Sequence, residues 1–308
     1  MAERMHPEFA RLAAARRIMA VPPSTGAPTA DRVRAERANA ERWVERFGGA
    51  ADPGDGAVVE RRAGSVLVRP AVLDERAPHV LYVHGGGMVY YSTTTFLPFL
   101  RLLATTLRAP VEAFDYPKAP EHTAEESLAR LGEAVAARCA EPGGRRPVIA
   151  GDSVGGLFAL HLALRVLPGA FARAVLIYPV LDLRTERDSY REFGEGHFLD
   201  RTAMRGFKSF LEPFFSARGL DPLALSDAEL AALPPCSLVT AGCDVLRDEG
   251  LAWARFLADR SVPLRHSHFP DLPHDFCLYA AGLDSARRAA VEIAATAFDT
   301  EEDHAQPR

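Results

Sequence analysis

From Val58 onward the chain alternates between two hydrophobic rhythms. Mainly apolar runs stand at 79–83, 111–115, 148–150, 174–178 and 237–241, and a more polar strand-like run at 264–269. Between them, at 96–107, 121–140, 157–167, 249–259 and 285–298, apolar residues recur at helical spacing. A buried strand reads as a short unbroken apolar run, and a helix as a stripe with period 3.6. Strands alternating with helices of this length predict an α/β chain, its mostly parallel sheet covered by helices on both faces. Ahead of this series, 58–61 and 65–69 predict a hairpin around Ala63-Gly64.

Two segments depart from the alternation. Residues 1–48 predict two helices split by the turn-rich stretch 21–28. The first carries Phe9, Leu12 and Ala13 on one face. The second carries Ala40, Trp43, Val44 and Phe47 at i, i+3, i+4, i+7, with arginines opposite that read as a solvated outer face. Residues 182–222 are rich in charge and aromatics, including Tyr190, Phe198, Phe207 and Phe215. They read as an inserted helical segment contributing to a lid. The expected organisation is N-terminal cap helices at 1–48, a catalytic domain at 49–300 with the cap insertion at about 182–222, and a flexible polar tail at 301–308.

Composition narrows the function classes. With 308 residues and 48% hydrophobic content the chain can bury a large core. A net charge of -5 shows no basic excess, so nucleic acid is not an expected partner. Cys139, Cys236, Cys243 and Cys277 have neither Cys-x-x-Cys nor metal-ligand spacing. Reduced thiols in a cytoplasmic setting are therefore expected. No leader-like apolar stretch opens the sequence, and no apolar run reaches the roughly 18 residues of a membrane span.

The chemistry centres on Gly151-Asp152-Ser153-Val154-Gly155. An apolar strand precedes it and a helical pattern follows, so Ser153 falls at a sharp strand-to-helix turn with small residues on both sides. A serine hydroxyl needs a base to take its proton, and the base needs a carboxylate to orient it. In this architecture the order is serine, acid, histidine, each after a strand. Asp244 follows the run 237–241 and His274 follows 264–269. Asp248 and Asp271 are competing carboxylates, Asp248 being expected to cap its own helix. His266 and His268 alternate within a strand and read as structural. The second motif is His84-Gly85-Gly86-Gly87, after a strand and upstream of the turn. An attacked carbonyl becomes an oxyanion and needs fixed N–H donors with no side chains in the way. Gly86, Gly87 and Val154 are the expected donors, and Gly85 stays open. A phosphate cradle would need a Gly-x-x-x-x-Gly-Lys-Ser/Thr pattern, which is missing here.

These motifs, together with Asp115-Tyr116, 119–122, 178–183 and 244–250, resemble the hormone-sensitive-lipase-like branch of the α/β-hydrolases over roughly residues 60 to 300. The resemblance implies the α/β-hydrolase fold, with a mostly parallel eight-stranded sheet flanked by helices and a helical cap. It implies hydrolysis of short- to medium-chain acyl esters through an acyl-enzyme, with no cofactor or metal. It implies a small-molecule ester substrate and allows a homodimer. Asp152 would then support the turn. Acyl transfer, lactone or amide hydrolysis, and tailoring of a secondary metabolite use the same triad. A ligand-binding protein of this branch would lack the histidine. Three departures stand near the expected pocket: Met88 to Tyr91 where a small residue is usual, Pro117-Lys118 where arginine and leucine are usual, and Asp275 where glycine is usual.

Overall fold

The computed structural model of the chain describes residues 4–19, 30–50, 53–141, 145–218 and 220–298. The expected break at 21–28 and the tail at 301–308 lie outside them. Eight strands form one sheet: β1 (Val58–Arg62), β2 (Ser65–Arg69), β3 (Val80–Val83), β4 (Val111–Phe114), β5 (Val148–Asp152), β6 (Arg173–Ile177), β7 (Cys236–Cys243) and β8 (Leu264–Pro273). Their spatial order is β1-β2-β4-β3-β5-β6-β7-β8. β1 and β2 form the expected antiparallel hairpin, β2 also runs antiparallel to β4, and every other pair is parallel. β3, β5 and β6 are buried along their whole length, as continuous apolar strands covered on two faces must be. The edge strand β1 carries Glu60, Arg61 and Arg62, whose charges discourage pairing with another chain.

Toward the N-terminus lie α1 (Pro7–Met19), α2 (Ala30–Phe47), α3 (Leu97–Leu107), α4 (Ala124–Cys139) and α5 (Val154–His161). Then come α6 (Asp188–Glu192), α7 (Arg201–Arg218), α8 (Asp227–Ala232), α9 (Arg247–Ala258) and α10 (Asp284–Ala297). Two apolar clusters sandwich the sheet. One joins Phe99, Leu100 and Leu103 of α3 to Ala290 and Ile293 of α10. The other joins Leu128 and Leu131 of α4, Phe158 of α5 and Trp253 of α9.

Several boundaries differ from expectation for local reasons. α4 starts at Ala124 and not at Glu121. Thr123 caps it, accepting the Glu126 N–H at 3.2 Å while the Glu126 carboxylate accepts the Thr123 N–H at 2.9 Å. α5 ends at His161, and a π-helical turn over Leu162–Val166 completes the expected helix. It closes with the Leu167 N–H donating to the Leu162 carbonyl at 2.8 Å. β8 runs past Phe269 to Pro273, and its pairing with β7 shifts between Ala241 and Cys243.

Both irregular segments meet the loops beyond the carboxyl ends of the strands. In α2, Arg37 donates to the Val89 carbonyl at 2.6 Å and also to the Ala119 carbonyl. Trp43 donates to the Tyr279 hydroxyl at 3.0 Å. In α1, Phe9 packs edge-on against Phe198 and Tyr279, with ring centroids 5.6 and 5.7 Å apart. From α7, Phe215 lies against Phe158 of α5.

Candidate active site

Ser153 joins β5 to α5 with φ 53 and ψ -122, a conformation strained for any residue but glycine. Its N–H donates to the Ile177 carbonyl at 2.9 Å, and its own carbonyl accepts the Val180 N–H at 3.0 Å. β6 and the loop after it therefore hold the turn from the side. The flanking glycines answer to backbone crowding. A Cβ at Gly155 would lie 2.1 Å from the Val83 carbonyl oxygen, and one at Gly151 2.3 Å from that of Gly155.

Asp244 follows β7 and His274 follows β8, and both side chains come to Ser153. The Ser153 Oγ lies 3.0 Å from His274 Nε2, and His274 Nδ1 lies 2.7 Å from Asp244 Oδ2. A carboxylate can only accept, so the imidazole proton sits on Nδ1 and Nε2 faces the hydroxyl as acceptor. Asp244 Oδ1 accepts the Leu246 N–H at 2.9 Å, which fixes the carboxylate in turn. All three side chains are buried. Burial disfavours the imidazolium, but the Asp244 and Asp275 carboxylates outweigh it and raise the His274 pKa to about 9.

The competing residues serve elsewhere. Asp248 does not cap its own helix, as expected from its position. Leu246 occupies that cap with no side-chain bond. The Asp248 carboxylate instead accepts the Ser189 N–H in the first turn of α6 at 2.8 Å and binds Arg247 at 2.8 Å. Asp271 accepts the His6 N–H through its backbone carbonyl at 2.7 Å. His266 and His268 both meet the Thr240 hydroxyl, at 2.9 and 2.8 Å.

The glycine loop divides its amides. The Gly85 N–H donates to Asp152 Oδ1 at 2.8 Å, and the Tyr82 hydroxyl donates to the same oxygen at 2.7 Å. Gly85 is thereby spent on bracing the loop. Burial pushes the Asp152 carboxyl up to about 7, against the pull of those two bonds. Gly86 and Gly87 sit at φ 102 and 63, and among the described residues no acceptor takes either N–H. Val154 opens α5, so its N–H has no partner within the helix. The Tyr116 hydroxyl donates to the His84 carbonyl at 2.9 Å, and its ring stacks on the His84 imidazole at 4.5 Å. The ring of Phe207 from α7 covers Gly87 so closely that a Cβ there would lie 2.3 Å from its Cγ.

Two side chains near the site were given no role by the sequence reading. Asp275 Oδ1 lies 3.7 Å from His274 Nε2. Burial pushes its carboxyl up, against the charges of His274 and of Arg16 from α1. The signal for Asp275 was its departure from the usual glycine, and Arg16 left none. Among the described residues no cluster of His, Cys, Asp and Glu is placed to hold a metal ion. No described helix is long and apolar enough to cross a membrane.

This arrangement polarises a serine hydroxyl beside unengaged backbone donors, on a strand-turn-helix element of a mostly parallel sheet. The α/β-hydrolase fold family matches residues 80–278, and the chain belongs to that family, in its hormone-sensitive-lipase-like branch. It is similar to the carboxylesterase NlhH of Mycobacterium tuberculosis, with 32% identity over 238 residues, 71% of this chain and 73% of the relative. The ethyl acetate hydrolase of Pseudomonas putida is 30% identical over 231 residues, 70% of each chain. The crystal structure of a thermostable esterase from Pseudomonas putida ECU1011 superposes with a TM-score of 0.82 at 26% identity, covering 96% of this chain and 97% of that one.

Proposed function

We propose that the chain is a serine carboxylester hydrolase acting on short- to medium-chain acyl esters through an acyl-enzyme. The observation that carries the reading is the unbroken hydrogen-bonded series from Ser153 Oγ through the His274 imidazole to Asp244. In acylation, Ser153 Oγ bonds to the ester carbonyl carbon as its proton passes to His274 Nε2. Asp244 stabilises the imidazolium and holds its tautomer. The amides of Gly86, Gly87 and Val154 receive the oxyanion. The intermediate collapses, the carbon–oxygen bond to the alcohol breaks, and Nε2 returns the proton to the departing oxygen. Water then gives a proton to Nε2 and attacks the acyl carbon. The acid leaves and Ser153 regains its hydrogen.

In this reading α1, α2 and the segment 182–222 form a cap over the site. The contacts of Arg37, Phe9 and Phe207 with the site loops support it. A cytoplasmic location accords with cysteine usage, and a homodimer with the family resemblance. The deciding experiment is hydrolysis of p-nitrophenyl esters from acetate to laurate by the native protein and Ser153→Ala. Turnover should peak at short to medium chains and vanish in the variant. Serine-independent turnover, or none on any ester, overturns the proposal. Acyl transfer to an added alcohol in preference to water, read by mass spectrometry, would replace hydrolysis with transfer.

A further inference from the structure

The glycine loop runs into a tight turn. The Gly86 carbonyl accepts the Val89 N–H at 2.9 Å and the Tyr90 N–H at 2.8 Å. The peptide bond is planar, so holding the Gly86 carbonyl also aims the Gly87 N–H on its opposite side. The next two carbonyls are held from outside the turn. Met88 accepts the Ala119 N–H at 2.9 Å, and Val89 accepts the Nε–H of Arg37 from α2 at 2.6 Å. The same guanidinium donates through Nη2 to the Ala119 carbonyl. Nη1 and Nη2 also grip the Glu121 carboxylate at 2.8 and 2.6 Å. Val89 and Ala119 are buried, and among the described residues no backbone N–H donates to either carbonyl. Arg37 thus closes a hydrogen-bonded ring through Val89, Met88 and Ala119, directly after Gly87.

We propose that Arg37 is a positioning residue that, from the N-terminal helix α2, fixes the amide of Gly87 for the oxyanion without touching the substrate. The proposal deepens the esterase reading and rests on it. An oxyanion donor works by being aimed before the charge develops. Gly87 has no side chain to anchor it, so its aim depends on the turn that follows. Without Arg37 two buried carbonyls lose their donor, a costly state that the turn escapes by moving them toward water. That motion carries the Val89 N–H, and with it the peptide plane of Gly87. Lysine cannot replace the planar fork, because a single ammonium does not reach both carbonyls and the carboxylate with the same geometry.

The test measures kcat and KM on p-nitrophenyl butyrate and the inhibition constant of a trifluoromethyl ketone. Ser153 Oγ bonds to the ketone carbon as its proton passes to His274 Nε2, leaving an oxyanion among the same amides. Wild type, Arg37→Met and Arg37→Lys are compared with Arg34→Met, whose side chain is exposed and pairs with Asp31 within α2. Arg37→Met should lower kcat by about 10–100-fold with KM little changed. It should weaken the ketone by the same factor, as loss of transition-state binding requires. Arg37→Lys should fall between, and Arg34→Met should match the wild type. The pH midpoint of kcat/KM should be the same in all four, because the relay is untouched. Wild-type kcat in Arg37→Met, a loss of kcat with unchanged ketone binding, or an equal loss in Arg34→Met overturns the positioning role and leaves the esterase reading standing. If Arg37→Met does not fold, the same two measurements on Arg37→Lys decide. A wild type that turns over no ester sinks both readings.

Discussion

Gly87→Ala tests the glycine loop most directly. An ordinary contact leaves a Cβ 3.4–4 Å from its neighbours, but at Gly87 the Phe207 ring carbons would lie at 2.3, 2.4 and 2.5 Å. Close-packed interiors give little, so either the ring or the loop must retreat by about 1 Å. The ring is wedged: Phe207 packs edge-on against Tyr90 at 5.7 Å, and its neighbour Lys208 is buried over the Tyr190 ring at 4.7 Å. The loop therefore moves and carries the Gly87 N–H off the oxyanion. Losing one such donor costs about 10²–10³ in kcat, and alanine at this positive φ adds roughly 1–2 kcal/mol of strain. The assay is kcat on p-nitrophenyl butyrate for Gly87→Ala, Phe207→Ala and the double variant. Removing the ring removes the clash, so the double variant should recover at least about tenfold over Gly87→Ala. Wild-type kcat in Gly87→Ala, or a double variant as slow as the single, refutes the reasoning.

Two further outcomes follow from the same site. His274 acts as base only when neutral, and its pKa is raised to about 9 by the flanking carboxylates, so kcat/KM should climb with pH through that region. A plateau already reached at the ordinary histidine value of 6.5 would contradict this. Ser153→Gly should be inactive yet more stable by about 1–2 kcal/mol in urea unfolding, because it releases the strained φ 53 turn. Equal or lower stability would mean the turn carries no strain.

The central strands were legible because a parallel strand buried on both faces is an unbroken apolar run, and the more polar, half-exposed β8 was legible as the next strand in the alternation; an acid or histidine after a parallel strand falls at the sheet's carboxyl edge. That is why Ser153, Asp244 and His274, far apart in sequence, were expected to meet. The division of labour among Gly85, Gly86 and Gly87 was not legible. Three consecutive glycines look alike until Asp152, 67 residues away, takes the amide of Gly85. Asp248 was misread for a similar reason. A carboxylate in a first helical turn can satisfy its own amides or those of another helix, and here it reaches α6. The period of α1 identified its apolar face. It could not tell that this face would dock Phe9 on Phe198 and Tyr279.

The hydrogen-bonded series at Ser153 lies wholly within residues 80–278, the span shared with the family, whereas Arg16 and Trp43 come from helices outside it. The proton relay is thus encoded in one stretch of the chain, and part of the packing beyond the strand ends in another. Substitutions in the first 50 residues can change that packing while the residues of the relay stay as they are. An evolving lineage, or an engineer exchanging this segment between relatives, can alter the surroundings of the site and leave the sheet and its nucleophile untouched.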